Sequence, residues 1–320
     1  MTTALDLPRL EFFGPEMNRP ECVVATARGD LFASDGRGGV MHLRHDGRHS
    51  LILACAPPSD GFVPNGFALL RDRSLVCANM GLAGGVWQLA PDGELTAFLL
   101  EVDGEPLPQT NFVGLDDNGR IWITVSTRLK PVSACAYKGR ADGFVVLVDD
   151  RGARVVADGL GLTNEAKVDP SGEWLYVVET IARRLSRFAI GPGGSLGRRQ
   201  TVTEFAREGA FPDGLAFDVA GGVWVTTIIR NAVVQVTAAG EQVWHFEDVD
   251  IAHVAEVERI FQDGGFGGWE PGCDRLLQSP TSIAFTGPDL RTGVLGFLRG
   301  DRLARFASPV AGAAPAHWHF

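Results

Sequence analysis

The chain has 320 residues, a formal net charge of −10 and 45% hydrophobic residues, so it can bury a sizeable core and carries no compositional sign of disorder. The acidic balance argues against a nucleic-acid partner, because contact with a phosphate backbone rests on clustered Lys and Arg. Forty Gly and 18 Pro spread along the whole length, with few long helical patterns, favour an all-β protein built on tight turns.

The N-terminal "MTTALDLPRLEFFG" lacks a basic stretch followed by an apolar one. No segment reaches the ~18 apolar residues that span a bilayer, so a soluble cytoplasmic protein with no membrane partner is expected. Residues 9–13, "RLEFF", precede a repeating pattern and are placed to supply an outer strand that closes a ring. From residue 21 the chain runs polar residue, strand, turn, strand, loop, strand in "ECVVATARGDLFASDGRGGVMHLR". The order recurs from 65 ("NGFALLRDRSLVCANMGLAGGVWQL"), from 111 ("NFVGLDDNGRIWITVS") and from 164 ("NEAKVDPSGEWLYVVETIARRLSRF"). It recurs again from 213 ("DGLAFDVAGGVWVTTIIRNAVVQV") and from 281 ("TSIAFTGPDLRTGVLGFLRGDRLARF"). Most copies gain a fourth strand, such as "SLILA" at 50–54 or "LTAFLL" at 95–100.

Repeats of roughly 45 to 50 residues, each a four-stranded antiparallel sheet, predict a six-bladed β-propeller around a central channel, with 1–320 as one domain. A pair of β-sandwiches is the competing fold, but it leaves the polar position recurring in register unexplained. Between the fifth and sixth copies, residues 247–278 form a long connection whose first half is helical in pattern, with Ile251, Val254, Ala255 and Glu258 on successive turns. That segment is expected to be a partial lid, an oligomer contact or a side decoration.

Up-and-down connectivity assigns the loops to faces. The turns "ARGD", "DDNG", "DPSG" and "DVAGG" fall at the bottom, as hairpin chemistry rather than calcium loops. The top rim receives Arg37, Asn79, Met80, Arg128, Tyr137, Glu179, Ile181, Arg230 and Arg299. Five widely spaced cysteines without a C-x-x-C read as buried free thiols. His317 and His319 near the C-terminus read as packing or disorder rather than a metal pair.

The residues in register are Glu21, Asn65, Asn111, Asn164, Asp213 and Thr281, each at the top of an innermost strand and facing the channel. All carry oxygen, and none is His or Cys. Such a set suits a hard divalent cation, Ca2+ before Mg2+ or Mn2+, with Zn2+ a further alternative. The competing reading is that these side chains cap strand ends or link neighbouring blades, and it applies most directly to Asn65 because "PNG" is also an ordinary turn.

At this point the chain resembles a known family, the six-bladed SMP-30/gluconolactonase/luciferin-regenerating group. The resemblance is carried by "RPEC", "QTNFVGLDDNGRIW", "GLTNEAKVDPSGEWLYVVET" and "FPDGLAFDVAGGVWV". It implies that Glu21, Asn111, Asn164 and Asp213 hold a catalytic divalent cation. Where the family often has Arg-x-Asn-Asp, this chain has Gln109, Thr110, Asn111 and Phe112, and where it has Asn-Gly this chain has Asn164 and Glu165. These departures put a plain aldonolactone in doubt, and Phe112, Met80, Ile181 and Ile229 suit a less polar lactone.

The function expected is metal-dependent opening of a lactone ring, a small-molecule reaction. Asp213 is the first choice for general base or nucleophile, with Glu165 or Glu179 as the alternative base. Asn65, Gln109, Phe112, Arg128, Tyr137, Glu165 and Glu179 are the candidate substrate-binding residues. An organophosphate or ester hydrolase on the same metal site, and a non-catalytic propeller with structural Ca2+, remain alternatives. The oligomeric state is not encoded in any of these patterns.

Overall fold

The computed structural model describes residues 10–135, 138–265 and 275–320, and these form six four-stranded antiparallel sheets arranged as blades of a β-propeller. Blade 1 spans 23–53, blade 2 spans 64–99, blade 3 spans 112–160, blade 4 spans 163–204 and blade 5 spans 212–247. Blade 6 takes three strands from 280–307 and its outermost strand, Glu11–Phe13, from the N-terminal region. Glu11 lies opposite Arg305 and Phe13 opposite Leu303, and the Arg305 guanidinium holds the Glu11 carboxylate at 3.0 Å. The last blade is therefore completed by the first strand, which closes the ring.

The bottom turns show why Asp recurs there. Asp116 accepts backbone N–H groups of Asn118 and Arg120 on one oxygen, and the Trp122 indole N–H at 2.9 Å on the other. Asp218 does the same for Ala220, Gly222 and the Trp224 indole, at 3.0 Å for the last. Each Asp closes its hairpin and anchors a fully buried Trp of the next strand between blades. These carboxylates are engaged by their own hairpins, and Asp218 also accepts from Gln235 at 2.7 Å, as hairpin chemistry rather than ion binding requires.

Adjacent innermost strands approach closely near the axis. A Cβ on Gly66 would lie 2.7 Å from Phe112 Cα, and one on Gly214 would lie 2.0 Å from the Thr281 carbonyl oxygen. Glycine after Asn65 and after Asp213 is thus a packing requirement between blades.

The chain's last residues cross the bottom of the channel. Ala313 N–H donates to Phe217 at 2.9 Å, Ala27 N–H donates to the Trp318 carbonyl at 2.7 Å, and Arg73 donates to the Phe320 carbonyl at 3.2 Å. With Val219 donating to Ala311 at 3.0 Å, this tail ties blade 5 to blades 1 and 2 and floors a cavity of about 140 Å3 inside the channel. His317 packs into it, and burial lowers its pKa to about 4. Deleting 311–320 is expected to lower the melting temperature by several degrees, at roughly 2–4 °C per kcal/mol lost in a chain of this order. Calorimetry on the truncated chain checks this, and an unchanged melting curve would show the tail to be a passive cover.

The insertion contributes helix α1, Ile251–Gln262, whose start is capped by the Asp250 carboxylate accepting from His253 N–H at 3.0 Å. Its buried face is Val254, Val257 and Phe261, packed on Ile181, Phe211, Ile228 and Ile229. Ile251 and Ala255 point outward, against the expected face, because the helix rotates to seat Phe261 against Phe211 at 5.2 Å between ring centres. Residues 266–274 of the insertion lie outside the described residues. Among the described residues, Cys22 and Cys77 are buried free thiols, whereas Cys55 is a free thiol at an exposed position. No helix among the described residues is long and apolar enough to cross a membrane.

Candidate functional site

The innermost strands begin irregularly. Strand register shifts between Pro64 and Phe67, Thr163 and Ala166, Pro212 and Leu215, and Pro280 and Ser282. Such bulges release a residue from the ladder and re-aim its side chain. The intervals hold Asn65, Asn164, Asp213 and Thr281, while Glu21 and Asn111 sit just before the innermost strands of blades 1 and 3. All six side chains are less than a tenth exposed.

Hydrogen bonding divides this ring in two. Asn65 donates to the Asn111 carbonyl at 2.8 Å and Thr281 donates to the Glu21 carbonyl at 2.7 Å, so both act as links between neighbouring blades. Glu21 Oε2 and Asn111 Oδ1, in contrast, are buried without any hydrogen-bond partner. Unsatisfied buried acceptors are costly, and two of them in one ring call for a positive ligand.

The carboxylates are close enough to feel one another. Burial and then the Glu21 and Glu165 charges raise the Asp213 pKa well above the ordinary range, against a hydrogen bond from Asn164. Burial likewise pushes Glu21 up to about 7, with Arg19 opposing and Glu165 adding to the rise. Asn164 also donates to Thr180 Oγ1 at 3.2 Å, which fixes its amide. The donors are carboxylate and amide oxygens, and among the described residues no group of three or more His, Cys, Asp and Glu forms a metal cluster. The oxygen-only set and the two orphaned acceptors fit a hard divalent cation.

Glu165 lies beside this group. Its Oε2 pairs with Lys167 Nζ at 2.8 Å and accepts Leu215 N–H at 2.9 Å, while Lys167 donates to the Leu215 carbonyl at 2.7 Å. Where glycine would let blades 4 and 5 touch directly, the Glu165–Lys167 pair clasps the backbone two residues after Asp213. Lys167 also stands 5.2 Å over the buried Phe112 ring, which lines the channel.

Other residues picked from the sequence are not brought to this group. Gln109 donates to the Met80 carbonyl at 2.5 Å and accepts Val132 N–H at 2.8 Å, so its amide clamps two loops. Both Glu179 oxygens are taken up by Arg184 at 2.7 Å, with Ser186, Arg199 and Gly161 N–H completing the set. Arg128 grips Asp158 with both guanidinium nitrogens, at 2.9 and 2.8 Å, over the Phe144 ring. Ile181 and Ile229, expected to offer apolar rim surface, are instead buried beneath α1. Tyr137 lies outside the described residues.

Sequence reading missed Arg19 and Lys167. Arg19 Nη2 donates to Asn65 Oδ1 at 2.6 Å and lies 3.8 Å from Glu21 Oε2. The signals were present: a basic residue two positions before a buried acid in "RPE", and a lysine inside an innermost strand of apolar neighbours in "NEAKV".

Comparison with known proteins agrees with this architecture. A family model described as the SMP-30/Gluconolactonase/LRE-like region matches residues 19–252. A 6-deoxy-6-sulfogluconolactonase of Pseudomonas putida is 26% identical over 288 residues, covering 89% of this chain and 84% of that one. A pentonolactonase of Haloferax volcanii is 26% identical over 163 residues, covering 50% of this chain and 47% of its own length. Among solved structures, a gluconolactonase from Xanthomonas campestris matches with a TM-score of 0.69 at 19% identity, over 94% of this chain and 89% of that one. A calcium-binding regucalcin from Agrobacterium tumefaciens gives 0.69 at 19% identity over 95% of each chain. The two structural likenesses are likenesses of fold.

Proposed function

The chain belongs to the SMP-30/gluconolactonase/LRE-like family, and we propose that it is a divalent-metal-dependent hydrolase that opens a lactone ring. The observation that carries this reading is the pair of buried, unpartnered oxygens, Glu21 Oε2 and Asn111 Oδ1, in the same ring as Asp213. Glu21, Asn111, Asn164 and Asp213 would hold the cation. Its oxygen-only set favours Ca2+, and the calcium-binding regucalcin of the same fold supports that choice over Mg2+, Mn2+ or Zn2+. The lactonase names of the Pseudomonas and Haloferax relatives support the reaction class.

When bound, the cation supplies Lewis-acid polarisation of a carbonyl and stabilises the negative charge that develops on its oxygen. The chain supplies the rest. Asp213 takes the proton of the attacking water from its buried place in the ring of ligand oxygens. Asn164 orients that carboxylate through its hydrogen bond. Glu165, neutralised by Lys167 and bonded to Leu215 N–H, fixes the strand that carries Asp213.

A hydrolysis screen over sugar, aliphatic and aromatic lactones, with an aryl ester and an organophosphate alongside, tests this in Ca2+, Mg2+, Mn2+, Zn2+ and chelator. Lactone turnover that vanishes with chelator is expected. Turnover confined to the ester or the organophosphate would overturn the substrate class, and tight cation binding without any turnover would mark a non-catalytic module.

A further inference from the structure

The arginines around the upper face are mostly neutralised at short range. Asp35 meets Arg37 at 2.6 Å, Asp158 meets Arg128 at 2.8 Å, Glu179 meets Arg184 at 2.7 Å and Glu247 meets Arg230 at 2.7 Å. Arg19 differs. Its carboxylate neighbour, Glu21 Oε2, stands off at 3.8 Å, its Nη2 donates to an amide oxygen, and its Nη1 is buried with no partner. A guanidinium nitrogen left unpaired in a buried site is costly unless a ligand meets it.

The backbone aims this side chain. Arg19 adopts a left-handed φ of 54°, and Glu21 N–H donates back to the Arg19 carbonyl at 2.8 Å across Pro20. This tight turn folds Arg19 over Glu21 and against Asn65, into the ring of oxygens at the channel axis. A non-glycine residue in this region is strained, and the surrounding contacts hold it there.

Charge indicates what the guanidinium meets. Glu21, Asp213 and Glu165 set three carboxylates against Arg19 and Lys167, and a divalent cation would turn that net negative charge into a net positive one. A positive, partly dehydrated site with an unpartnered guanidinium N–H donor at Nη1 recognises an oxyanion, through charge-assisted hydrogen bonds.

We propose that Arg19 is a specificity-determining residue that binds an anionic group on the substrate, so that the substrates are lactones carrying a sulfonate or phosphate. The inference rests on the lactonase reading and narrows its substrate class. A neutral lactone leaves the buried Arg19 Nη1 donor unpaired, which is how a polar pocket rejects an analogue that lacks the matching group.

The test compares glucono-1,5-lactone with its 6-deoxy-6-sulfo and 6-phospho counterparts on wild type, Arg19→Gln and Arg19→Lys, each at equal bound metal. Wild type should prefer an anionic lactone, and its identity separates sulfonate from phosphate. Arg19→Gln should raise KM for that lactone by roughly 10- to 100-fold, the scale of a hydrogen bond to a charged group, with much less effect on kcat. The preference over the neutral lactone should collapse, and Arg19→Lys should restore part of it. Equal effects of Arg19→Gln on all three lactones, or none, would overturn the proposal and leave the lactonase reading standing.

Calorimetric titration with 6-deoxy-6-sulfogluconate and with gluconate separates the two readings if wild type hydrolyses no lactone. Tighter binding of the sulfonate that disappears in Arg19→Gln would keep the anion site and remove the lactonase reading. Equal binding of the two acids, or binding insensitive to Arg19, would overturn both.

Discussion

Asp213→Asn is expected to lower turnover by roughly 10²-fold or more at saturating cation, the scale on which a general base contributes. The change keeps the side chain's size and one ligand oxygen, and removes its charge and its capacity to accept a proton. In the metal-free ring, burial beside Glu21 and Glu165 raises the proton affinity of this carboxylate. Cation affinity should fall as well, because one of two ligand charges is gone. Turnover measured against bound-metal content separates the two effects, and near-normal turnover in metal excess would reduce Asp213 to a ligand and move the base to Glu165. Label found in the Asp213 carboxylate after a single turnover in 18O-labelled water would mark it as a nucleophile, since water reaches that carbon only by opening an anhydride formed by its attack. In chelator the variant should melt no lower than wild type, because the substitution also removes a like-charge contact from the metal-free ring.

Cation binding should stabilise the fold, and the gain should widen as pH rises from about 5 to 8. A carboxylate whose pKa is raised in the folded state binds its proton more tightly there than in the unfolded chain. Glu21, raised to about 7, and Asp213 therefore make the metal-free fold progressively less stable as pH climbs from the ordinary values of 4.5 for Glu and 3.8 for Asp through the raised ones. A divalent cation reverses this by supplying the charge that the deprotonated pair lacks. By mass action the stabilisation is about 2.7 kcal/mol when free cation is ~100 times its dissociation constant. Melting curves at pH 5, 6, 7 and 8, with Ca2+ and with chelator, measure the difference. A gap that is absent or constant across this range would show that Glu21 and Asp213 do not hold the cation.

The propeller was legible because its signals are local. Each blade repeats an apolar strand, a turn with Asp, Asn or Gly, and a second strand, and period-two alternation with turn chemistry needs only neighbouring residues to be read. The Asp116–Trp122 and Asp218–Trp224 pairs lie within single hairpins, so the bottom turns declared their role in the chain order itself. The ring of Glu21, Asn65, Asn111, Asn164, Asp213 and Thr281 was legible for a related reason, since repetition multiplies one local position by the number of blades.

The sequence by itself could not apportion that ring. Asn65 and Thr281 link blades while Glu21 and Asn111 keep an open oxygen, and the difference lies in which carbonyl of the adjacent blade comes within reach. Arg19 finds Asn65 across 46 residues, Arg183 finds Glu258 of α1 across 75, and α1 covers Ile181 and Ile229 by rotating until Phe261 meets Phe211. Glu179 looked available in the chain and is fully engaged in the fold, because Arg184 on the adjacent strand takes both of its oxygens and Arg199 returns from the outer edge of the blade to add a further contact. Hairpins are decided by dihedral preference and side-chain alternation over a few residues. The pairing of a buried charge is decided by the low-dielectric space that distant segments enclose together, and that space exists only once the ring has closed.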